Sequence, residues 1–515
     1  MQETIIRWGD GYVHVEPAFP DTLLKKLKYW RRSLEWSEEQ MRRIALGQFE
    51  ELYNIRTWID PQTQQYCQQL TTLPGFVHRI KETLKEAGWT YTVIDERTPM
   101  PEPDLHKAFA GLYDHQLECA YVALKSGGGI IACPTGWGKT HIMKAIVNAY
   151  TSEALKLRGT PLTVVSAPDK DIAAKDYRDL KAMLPNREVG LVMTGYSNFS
   201  DDVQVITLDS LHRINADEVG VLIVDEVHAA ASDKRADSIV AMRRAVRWGV
   251  SATPTGRFDG RDLVTEGLFG PVVYTRTYGD GVKDGALVPI TVYWVKCPEP
   301  AIGMPKFEAY STRVGRYRNG VWRNKNRNAF IGEIMRRIPD SMQTLCIMQY
   351  LDQMDAIYPL CGTGTTTVHA VTDPVEIAKF KNLISITPPE RREIYRKMEA
   401  AEIKRILSTY VYKQGVNFPH LAVVINAGGG GSDIVAKQIP GRESRKTATK
   451  ERSYLVDFWH PWDKVKNDKE RWVAGPIHAD DQSREKAYNH LGFEQVWVED
   501  LNGLPFLEQP RTSVE

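Results

Sequence analysis

A short glycine-containing loop supplies the first residues whose types and spacing suit chemistry. The loop, PTGWGKT, lies between the apolar run GIIAC and the helical pattern HIMKAIVNAY. Gly136 and Gly138 would let backbone N–H groups point at phosphate oxygens. Lys139 would reach the β- and γ-phosphates, and the hydroxyl of Thr140 would ligate Mg²⁺. The predicted nucleotide-binding residues of the loop are Pro134, Thr135, Gly136, Trp137, Gly138, Lys139 and Thr140.

Two residues set this loop apart from the strict pattern of phosphate loops. Cys133 occupies the position of the first glycine, and Trp137 lies between the other two. We expect the side chain of Trp137 to face outward, so that it does not fill the phosphate cradle. The alternative interpretation is a glycine-rich turn that merely precedes a core helix.

An acidic pair follows a later apolar run, VGVLIV, at Asp225 and Glu226. In a doubly wound sheet this position lies beside a phosphate loop. Asp225 would hold Mg²⁺ through water, and Glu226 would orient and deprotonate the attacking water. Such a pair alone is usually a solvated strand end. Together with Lys139 and Thr140 it indicates a site for phosphoryl transfer.

The segment QIPGRESR, residues 438 to 445, carries further candidates for catalysis. Arg442 and Arg445 are three residues apart and would share one face of a helix or turn. Their guanidinium groups, with Gln438, would reach the γ-phosphate across a cleft between domains, where charge develops in the transition state. The alternative is a solvated basic helix, because further cationic residues follow.

A basic segment with interleaved aromatic residues, Arg313 to Arg327, suits a nucleic-acid strand. It contains six Lys or Arg and no acidic residue, with Tyr317 and Trp322 between them. Cations would bind phosphates and rings would stack on bases. The predicted nucleic-acid contacts here are Arg323, Lys325 and Arg327. The alternative is a connector whose aromatic residues pack inward.

Alternating strand-like and helical patterns must position these residues. From about residue 105 the alternation predicts two α/β domains in tandem, each with a parallel sheet. Residues 1–100 show amphipathic, Trp-rich patterns that RTPMPEPD closes off. We expect an accessory domain at 1–100 with a possible role in DNA recognition, an ATP-binding domain at 101–285, a second α/β domain at 286–480 and a tail at 481–515.

The composition of the chain limits the classes of protein to which it can belong. The chain has 515 residues, a net charge of +1 and six cysteines without a C-x-x-C pair. Scattered cysteines argue against a disulfide framework and against structural zinc. No signal-peptide pattern and no run of roughly 18 apolar residues is present, so the sequence predicts neither export nor a membrane span.

Four segments resemble motifs I, II, III and VI of superfamily 2 helicases, in the right order: CPTGWGKT, DEVH, SAT and QIPGRESR. The resemblance covers about residues 105 to 465. It implies two RecA-like parallel-sheet domains after a small N-terminal α+β domain, and ATP and Mg²⁺ as cofactors. It further implies adenine reading by Gln116, nucleotide contact by Gly415, strand contacts by Thr207, Ser210 and Thr409, and coupling through His228, Ser251 and Thr253. Asn417 departs from the Asp that many relatives carry.

Within this superfamily the sequence is most similar to DNA helicases of the UvsW, XPB and RecG group. That resemblance implies an ATP-dependent helicase or translocase acting on duplex, forked or junction DNA, in unwinding, branch migration and fork remodelling. It also implies recombination or replication proteins as partners, and the cytoplasm of a bacterial or phage-infected host cell. An RNA helicase and the translocase subunit of a restriction-type complex are the alternatives.

Overall fold

The computed structural model describes residues 3–29, 50–59, 61–62, 66–255, 259–300, 313–409, 418–430, 450–466 and 471–508. Contacts between residues divide the chain into two units. The first comprises Met1–Pro134 with Gly138–Arg276, and the second comprises Thr135–Trp137 with Thr277–Glu515.

The first unit begins with a five-stranded mixed sheet in the order β5-β6-β2-β1-β7. Buried and partly exposed residues alternate along β1 and β2, which is the pattern of a sheet with one covered face. Among the pairs described in this sheet, only β1 and β7 run parallel. Its elements and the neighbouring short hairpin are β1 Thr4–Gly9, β2 Tyr12–Glu16, α1 Asp21–Lys26, β3 Lys28–Tyr29, β4 Glu50–Glu51, β5 Tyr53–Ile59, β6 Tyr66–Thr72, α2 Val77–Glu86 and β7 Tyr91–Asp95.

The rest of the first unit is an eight-stranded sheet in the order β11-β10-β12-β9-β13-β14-β8-β15. Its central strands are almost wholly buried, as expected of parallel strands covered on both faces. The elements are α3 Leu105–Phe109, α4 Asp114–Ser126, β8 Gly129–Ala132, α5 Lys139–Ala149, α6 Ser152–Lys156, β9 Leu162–Ala167, α7 Lys170–Met183, β10 Val189–Met193, β11 Tyr196–Asn198, β12 Val203–Thr207, β13 Val219–Asp225, α8 Asp233–Ala241, β14 Val246–Ser251, α9 Asp262–Phe269 and β15 Val272–Thr275.

The second unit is built on a seven-stranded parallel sheet in the order β18-β19-β17-β20-β21-β16-β24. A π-helical turn, Arg318–Trp322, separates two of its helices. The elements are α10 Tyr278–Lys283, β16 Ile290–Lys296, α11 Arg313–Tyr317, α12 Lys325–Arg337, β17 Gln343–Ile347, α13 Leu351–Ile357, β18 Thr365–Val368, α14 Pro374–Ile377, α15 Pro388–Glu399, β19 Arg405–Ser408, β20 Leu421–Asn426, β21 Ser453–Trp459, β22 Lys464–Lys466, β23 Trp472–Ala474, α16 Pro476–His490 and β24 Glu494–Val498. Strand β24 lies in the predicted tail and pairs with β16.

The mixed sheet and the eight-stranded sheet pack closely within the first unit. A Cβ added at Gly75 would lie 2.2 Å from the carbonyl oxygen of Glu266 in α9, so the two backbones touch there. Arg79 of α2 donates to both carboxylate oxygens of Glu266, from Nε at 2.7 Å and from Nη2. The predicted fold class, two parallel-sheet α/β domains with a small N-terminal mixed domain, is confirmed. None of the helices in the described part of the chain is both long and apolar enough to cross a membrane.

Candidate nucleotide-binding site

The glycine-containing loop leaves the carboxyl end of β8 and ends at the first residue of α5. Gly136 has φ +86° and Gly138 has φ +105°, a left-handed backbone that glycine adopts without steric cost. Helix α5 begins at Lys139, whose Nζ donates to the carbonyl oxygen of Cys133 at 3.4 Å. The loop thus has the strand, turn and helix geometry that presents N–H groups to phosphate oxygens.

Gln116 lies against this loop from α4. Its side chain is 1% exposed, and its Oε1 accepts the backbone N–H of Tyr113 at 3.2 Å, which caps the helix. A Cβ added at Gly138 would lie 2.1 Å from Nε2 of Gln116. Glycine is therefore required at this position both for its backbone angle and for the approach of the amide.

The side chain of Trp137 is buried, at 1% exposure, and is not exposed to solvent. That it faces away from the phosphate cradle stays a prediction. Removing a large apolar indole from water is favourable, and nothing in the local sequence pattern shows whether a surface is present to cover it.

The acidic pair reaches the same edge of the sheet because β13, β14 and β8 are parallel neighbours. Asp225 is the last residue of β13 and is paired in register with Val250 of β14. Ser251 of β14 is in register with Ala132 of β8, and its carbonyl oxygen accepts the N–H of Cys133 at 3.1 Å. Carboxyl ends of parallel strands meet at one edge, which is where ligands bind in such sheets.

Charges are concentrated around Asp225. Burial, the largest cause, and the neighbouring Glu226 raise the pKa of Asp225, Lys139 and Lys175 oppose the rise, and the net pKa is about 6. Such a carboxylate favours a bound cation, and Thr140 is the second residue of α5, the helix that follows the phosphate loop. This donor set fits Mg²⁺, which is usually held by one or two protein groups together with nucleotide phosphates.

Glu226, Ser251 and His228 are joined by hydrogen bonds. The hydroxyl of Ser251 donates to Oε2 of Glu226 at 3.0 Å, and Nδ1 of His228 lies 3.2 Å from the same hydroxyl oxygen. Because the hydroxyl proton is given to the carboxylate, Nδ1 of His228 must carry a proton to donate in turn. The N–H of Thr253 also donates to Ser251, at 3.1 Å. Glu226 itself has φ +49°, a left-handed backbone uncommon outside glycine.

Two residues of α7 belong to this charged cluster but do not stand out in the sequence. Asp176 is fully buried, and Nζ of Lys175 lies 3.4 Å from its Oδ1 and 3.0 Å from Oδ2 of Asp179. Burial, the largest cause, and Asp225 raise the pKa of Asp176, Lys175 opposes the rise, and the net pKa is about 8. From the sequence alone, the charges of IAAKDYRD predict a solvent-exposed helix face, because nothing within this segment indicates that it packs against a strand.

The residues predicted to contact a nucleic-acid strand have different environments. Thr207 and Ser210 are both buried, and their hydroxyls are hydrogen-bonded to each other at 2.9 Å. Thr409 is half-buried at the end of the described segment. The remaining predicted residues lie outside the described residues: Gly415, Asn417, Gln438, Arg442 and Arg445.

The basic segment folds largely inward, so the assignment of Arg327 to nucleic-acid binding is wrong. Arg327 is fully buried, donates to the carbonyl oxygen of Ala427 at 2.8 Å and lies over the ring of Phe458. Tyr317 and Trp322 are also buried, as the connector interpretation expects. Arg323 and Lys325, the other two residues of this segment predicted to contact nucleic acid, are exposed. Arg323 forms an ion pair with Asp352.

Comparison of the sequence with known proteins gives a family match and two sequence relatives. A family model described as "Type III restriction enzyme, res subunit" matches residues 109–256. "Putative helicase 22" of Sulfolobus islandicus filamentous virus is 25% identical over 355 residues, 64% of this chain and 60% of its own length. The DNA 3'-5' translocase XPB2 of Sulfurisphaera tokodaii is 31% identical over 197 residues, 38% of this chain and 41% of its own. The chain thus spans less than two thirds of either relative.

Solved structures align over more of the chain at lower identity. The helicase MrfA bound to DNA and AMPPNP aligns with a TM-score of 0.51 and 17% identity, over 79% of this chain and 56% of its own. UvsW of T4 aligns with a TM-score of 0.41 and 16% identity, over 97% of this chain and 99% of its own. The family match and the sequence relatives confirm the predicted resemblance to superfamily 2 helicases.

Proposed function

We propose that this protein is an ATP-dependent superfamily 2 DNA helicase or translocase that acts on duplex or branched DNA. The observation that carries the proposal is the meeting of a phosphate loop, an acidic pair and a serine at the carboxyl ends of β8, β13 and β14. A solvated strand end or a plain turn before a helix would not explain why all three side-chain sets converge.

Each residue has a separate role in the proposed ATP hydrolysis. Backbone N–H groups of residues 134–140 and Nζ of Lys139 bind the phosphates, and Gln116 contacts the base. When bound, Mg²⁺ neutralises phosphate charge, and Thr140 and Asp225 would hold it. Glu226 accepts the proton of the attacking water. Ser251 fixes the carboxylate of Glu226 in place through its 3.0 Å hydrogen bond.

Other residues carry proposed roles beyond the nucleotide. His228, Ser251 and Thr253 would couple the state of Glu226 to movement. Arg442 and Arg445 with Gln438 would stabilise the transition state, and Gly415 would contact the nucleotide. Thr207, Ser210, Thr409, Arg323 and Lys325 would contact the nucleic-acid strand. For the domains we propose the division 1–100, 101–285, 286–480 and 481–515, with DNA recognition by the first.

DNA is preferred over RNA as the proposed substrate because of the relatives. XPB2 is described as a DNA translocase and MrfA was solved with DNA. Contacts with strand phosphates do not themselves distinguish the two nucleic acids. The choice therefore rests on an experiment rather than on motif residues.

The test is ATP turnover measured with no nucleic acid, single-stranded DNA, duplex DNA, a four-way junction and matched RNA. We expect turnover to rise at least tenfold with DNA, most with the junction, and little with RNA. Equal stimulation by RNA would support an RNA helicase instead. Turnover that no nucleic acid changes would contradict a motor of either kind.

A second candidate is the translocating subunit of a restriction-type complex, which the family match over residues 109–256 favours. That role needs a nuclease centre, and among the described residues no group of three or more His, Cys, Asp or Glu is placed to hold a metal ion. Incubation with covalently closed DNA, ATP and Mg²⁺ distinguishes the two. Strand cleavage would favour this candidate, and translocation without cleavage would favour the helicase.

A further inference from the structure

A cavity of about 650 Å³ lies within the first unit, at the opposite end of the strands of the eight-stranded sheet from the phosphate loop. Its lining includes the β1–β2 turn at Gly9–Gly11 and the residues just before β8 and β14, Gly128 and Ala245. These are the amino ends of the strands, whereas the phosphate loop follows their carboxyl ends. The length of β8, roughly 10 to 13 Å, separates the two places.

Positive charge dominates the lining of this cavity. Two carboxylates line it, Asp10 and Asp95, and both are already engaged. Asp95 accepts from Arg97 at 2.6 and 2.8 Å, and Asp10 accepts the N–H of Thr98 at 3.1 Å. The cationic side chains that line it are Lys81, Arg97, Arg158, Arg243, Arg244 and Arg247.

Two of these arginines are buried with incomplete hydrogen bonding. The side chain of Arg158 is 5% exposed and Arg247 is 6% exposed. Within the described ranges, Arg247 donates to the carbonyl oxygens of Leu268 and Met242, each at 3.1 Å. In both residues the buried Nε has no acceptor within the described part of the chain. Burial alone lowers the pKa of Arg247 to about 10, because no carboxylate offsets it.

Two like charges are also held together at the cavity. Arg158 donates from Nη1 to the carbonyl oxygen of Arg244, and Arg244 donates from Nη2 to the carbonyl oxygen of Arg158. Burial lowers the pKa of Arg158, Asp10 at 3.9 Å opposes the change, and Arg244 and Arg97 lower it further. A buried guanidinium whose charge is not fully compensated, such as that of Arg247, costs free energy, which an entering anion would recover.

The shape of the cavity indicates the kind of anion. The guanidinium of Arg97 lies 3.3 Å from the centroid of the Trp8 ring, so that face of the indole is covered and does not stack on a base. Guanidinium groups match phosphate oxygens in pairs. The volume is far larger than one phosphate requires and is in the usual range for sites of small organic ligands.

We propose that this cavity is a second phosphate-binding site, distinct from the phosphate loop, for a ligand of nucleotide size. Arg243, Arg244 and Arg247 bind its phosphate oxygens, and Arg158 supplies the buried positive charge behind them. The phosphate belongs either to a free nucleotide or to the end of a nucleic-acid strand. The site does not require that the chain hydrolyse ATP.

The test is isothermal titration in a Lys139→Ala background, which weakens phosphate binding at the first site. The probes are pyrophosphate, ADP and a 5′-phosphorylated deoxythymidine trinucleotide. We expect one remaining site, which Arg243→Ala and Arg247→Met each weaken at least tenfold. Arg56→Ala is the matched control, because Arg56 is exposed on β5 and does not line the cavity, and it should leave binding unchanged.

Melting temperatures give a second, independent measurement. At 100 times the dissociation constant the tightest probe should raise the melting temperature of the Lys139→Ala chain by about 5–10 °C. Without any probe, adding Arg247→Met should leave the melting temperature equal or higher, because an apolar side chain replaces an uncompensated charge. In the chain that carries both Lys139→Ala and Arg247→Met, the probe should no longer raise the melting temperature.

The outcomes distinguish the two sources of the phosphate from each other, and they distinguish both from failure of the proposal. Binding of ADP at least tenfold tighter than binding of the trinucleotide identifies a free nucleotide, and binding of the trinucleotide at least tenfold tighter than that of ADP identifies a strand end. Binding that Arg243→Ala and Arg247→Met leave unchanged, or binding no stronger than that of sulfate, would overturn the proposal. None of these outcomes depends on ATP turnover, so the proposed function is tested separately.

Discussion

At the scale of single residues, the site is organised around the carboxylate of Glu226. Ser251 donates to it, and His228 and Thr253 in turn donate to Ser251. A catalytic base must be held within hydrogen-bond reach of its water, and a serine from the neighbouring strand is a rigid support for it. Two predictions follow at this scale, one for the groups that act on ATP and one for the support.

Lys139→Ala and Glu226→Gln should both abolish ATP turnover, by different routes. Lys139→Ala removes the positive charge that binds phosphates, so nucleotide affinity should fall at least tenfold. Glu226→Gln keeps the shape and the acceptor oxygen for Ser251 but removes the base, so affinity should persist while kcat falls at least 100-fold. Binding of a fluorescent ATP analogue and steady-state turnover measure the two effects. Turnover by Glu226→Gln at the parent rate would remove Glu226 from the base role.

Ser251→Ala should lower kcat about tenfold without changing nucleotide affinity. The loss corresponds to about 1.4 kcal/mol, typical of one hydrogen bond to a charged group. Ser238→Ala is the control, because its hydroxyl donates only to the carbonyl oxygen of Lys234 on an exposed helix face. A kcat for Ser251→Ala within twofold of the control would show that Glu226 does not depend on this support.

At the scale of elements, two kinds of contact decide the packing. One is close backbone approach, at Gly75 against α9. The other is a buried network in the second unit, where Asp481 accepts the backbone N–H of His460 at 2.8 Å and lies 3.0 Å from its Nδ1. A flexible side chain cannot take the place of either contact. We therefore expect single substitutions at these positions to lower stability strongly.

Gly75→Ala should separate the mixed sheet from α9. The new Cβ would lie 2.2 Å from the carbonyl oxygen of Glu266, and neither backbone can yield without moving its element. We expect a cost of about 3 kcal/mol, seen as a melting temperature about 5–10 °C lower. Gly279→Ala is the control, because its nearest atom would be 3.8 Å away. Equal melting temperatures for the two variants would contradict the close packing.

The stability of the second unit should fall as pH rises from about 6.5 to about 9. Although burial opposes a charge on His460, the Asp481 carboxylate raises its pKa to about 9. A pKa raised on folding contributes stability that is complete below the unfolded value, about 6.5, and is lost as pH rises through the folded value. The loss should reach about 3 kcal/mol. Urea unfolding at pH 6, 7.5 and 9 measures it, and His460→Asn should remove most of this slope. An equal slope in both proteins would contradict the assignment.

At the scale of the whole molecule, residues 3–95 are part of the first unit and not a separate appendage. Leu73 and Phe76 would both lie within 2.8 Å of a Cβ at Gly267, so the mixed sheet covers α9 closely. The described residues proposed to bind phosphate all follow Asp104. Covering α9 and the proposed binding of ATP thus fall to different segments of the chain.

Removal of residues 1–104 should therefore affect stability and substrate choice more than chemistry. The exposed apolar face of α9 should lower solubility and the melting temperature by at least 5 °C. Turnover per nucleotide-binding site on linear duplex should stay within about threefold of the full chain, because the chemistry lies downstream. The preference for a four-way junction over linear duplex should disappear. If the shortened chain kept that preference, residues 1–100 would not be a DNA-recognition domain.

The sequence alone determined the parts of this protein that depend on neighbours along the chain. The turn at Gly136 and Gly138, the strand before Asp225 and the alternation of strands and helices all follow from local spacing, because φ, periodicity and strand length are local properties. The same spacing predicted that Asp225 and Ser251 follow strands, which brings them to one edge.

Tertiary structure alone decided which side chains are buried and which distant residues meet. Arg327 is in a basic segment yet is buried with its guanidinium over the ring of Phe458, and Trp137 is buried although it is in a polar loop. Arg158 and Arg244 are 86 residues apart and become neighbours only in the fold. Burial and charge pairing depend on contacts between elements far apart in the chain, and a pattern read along one segment contains no record of the surface that covers it.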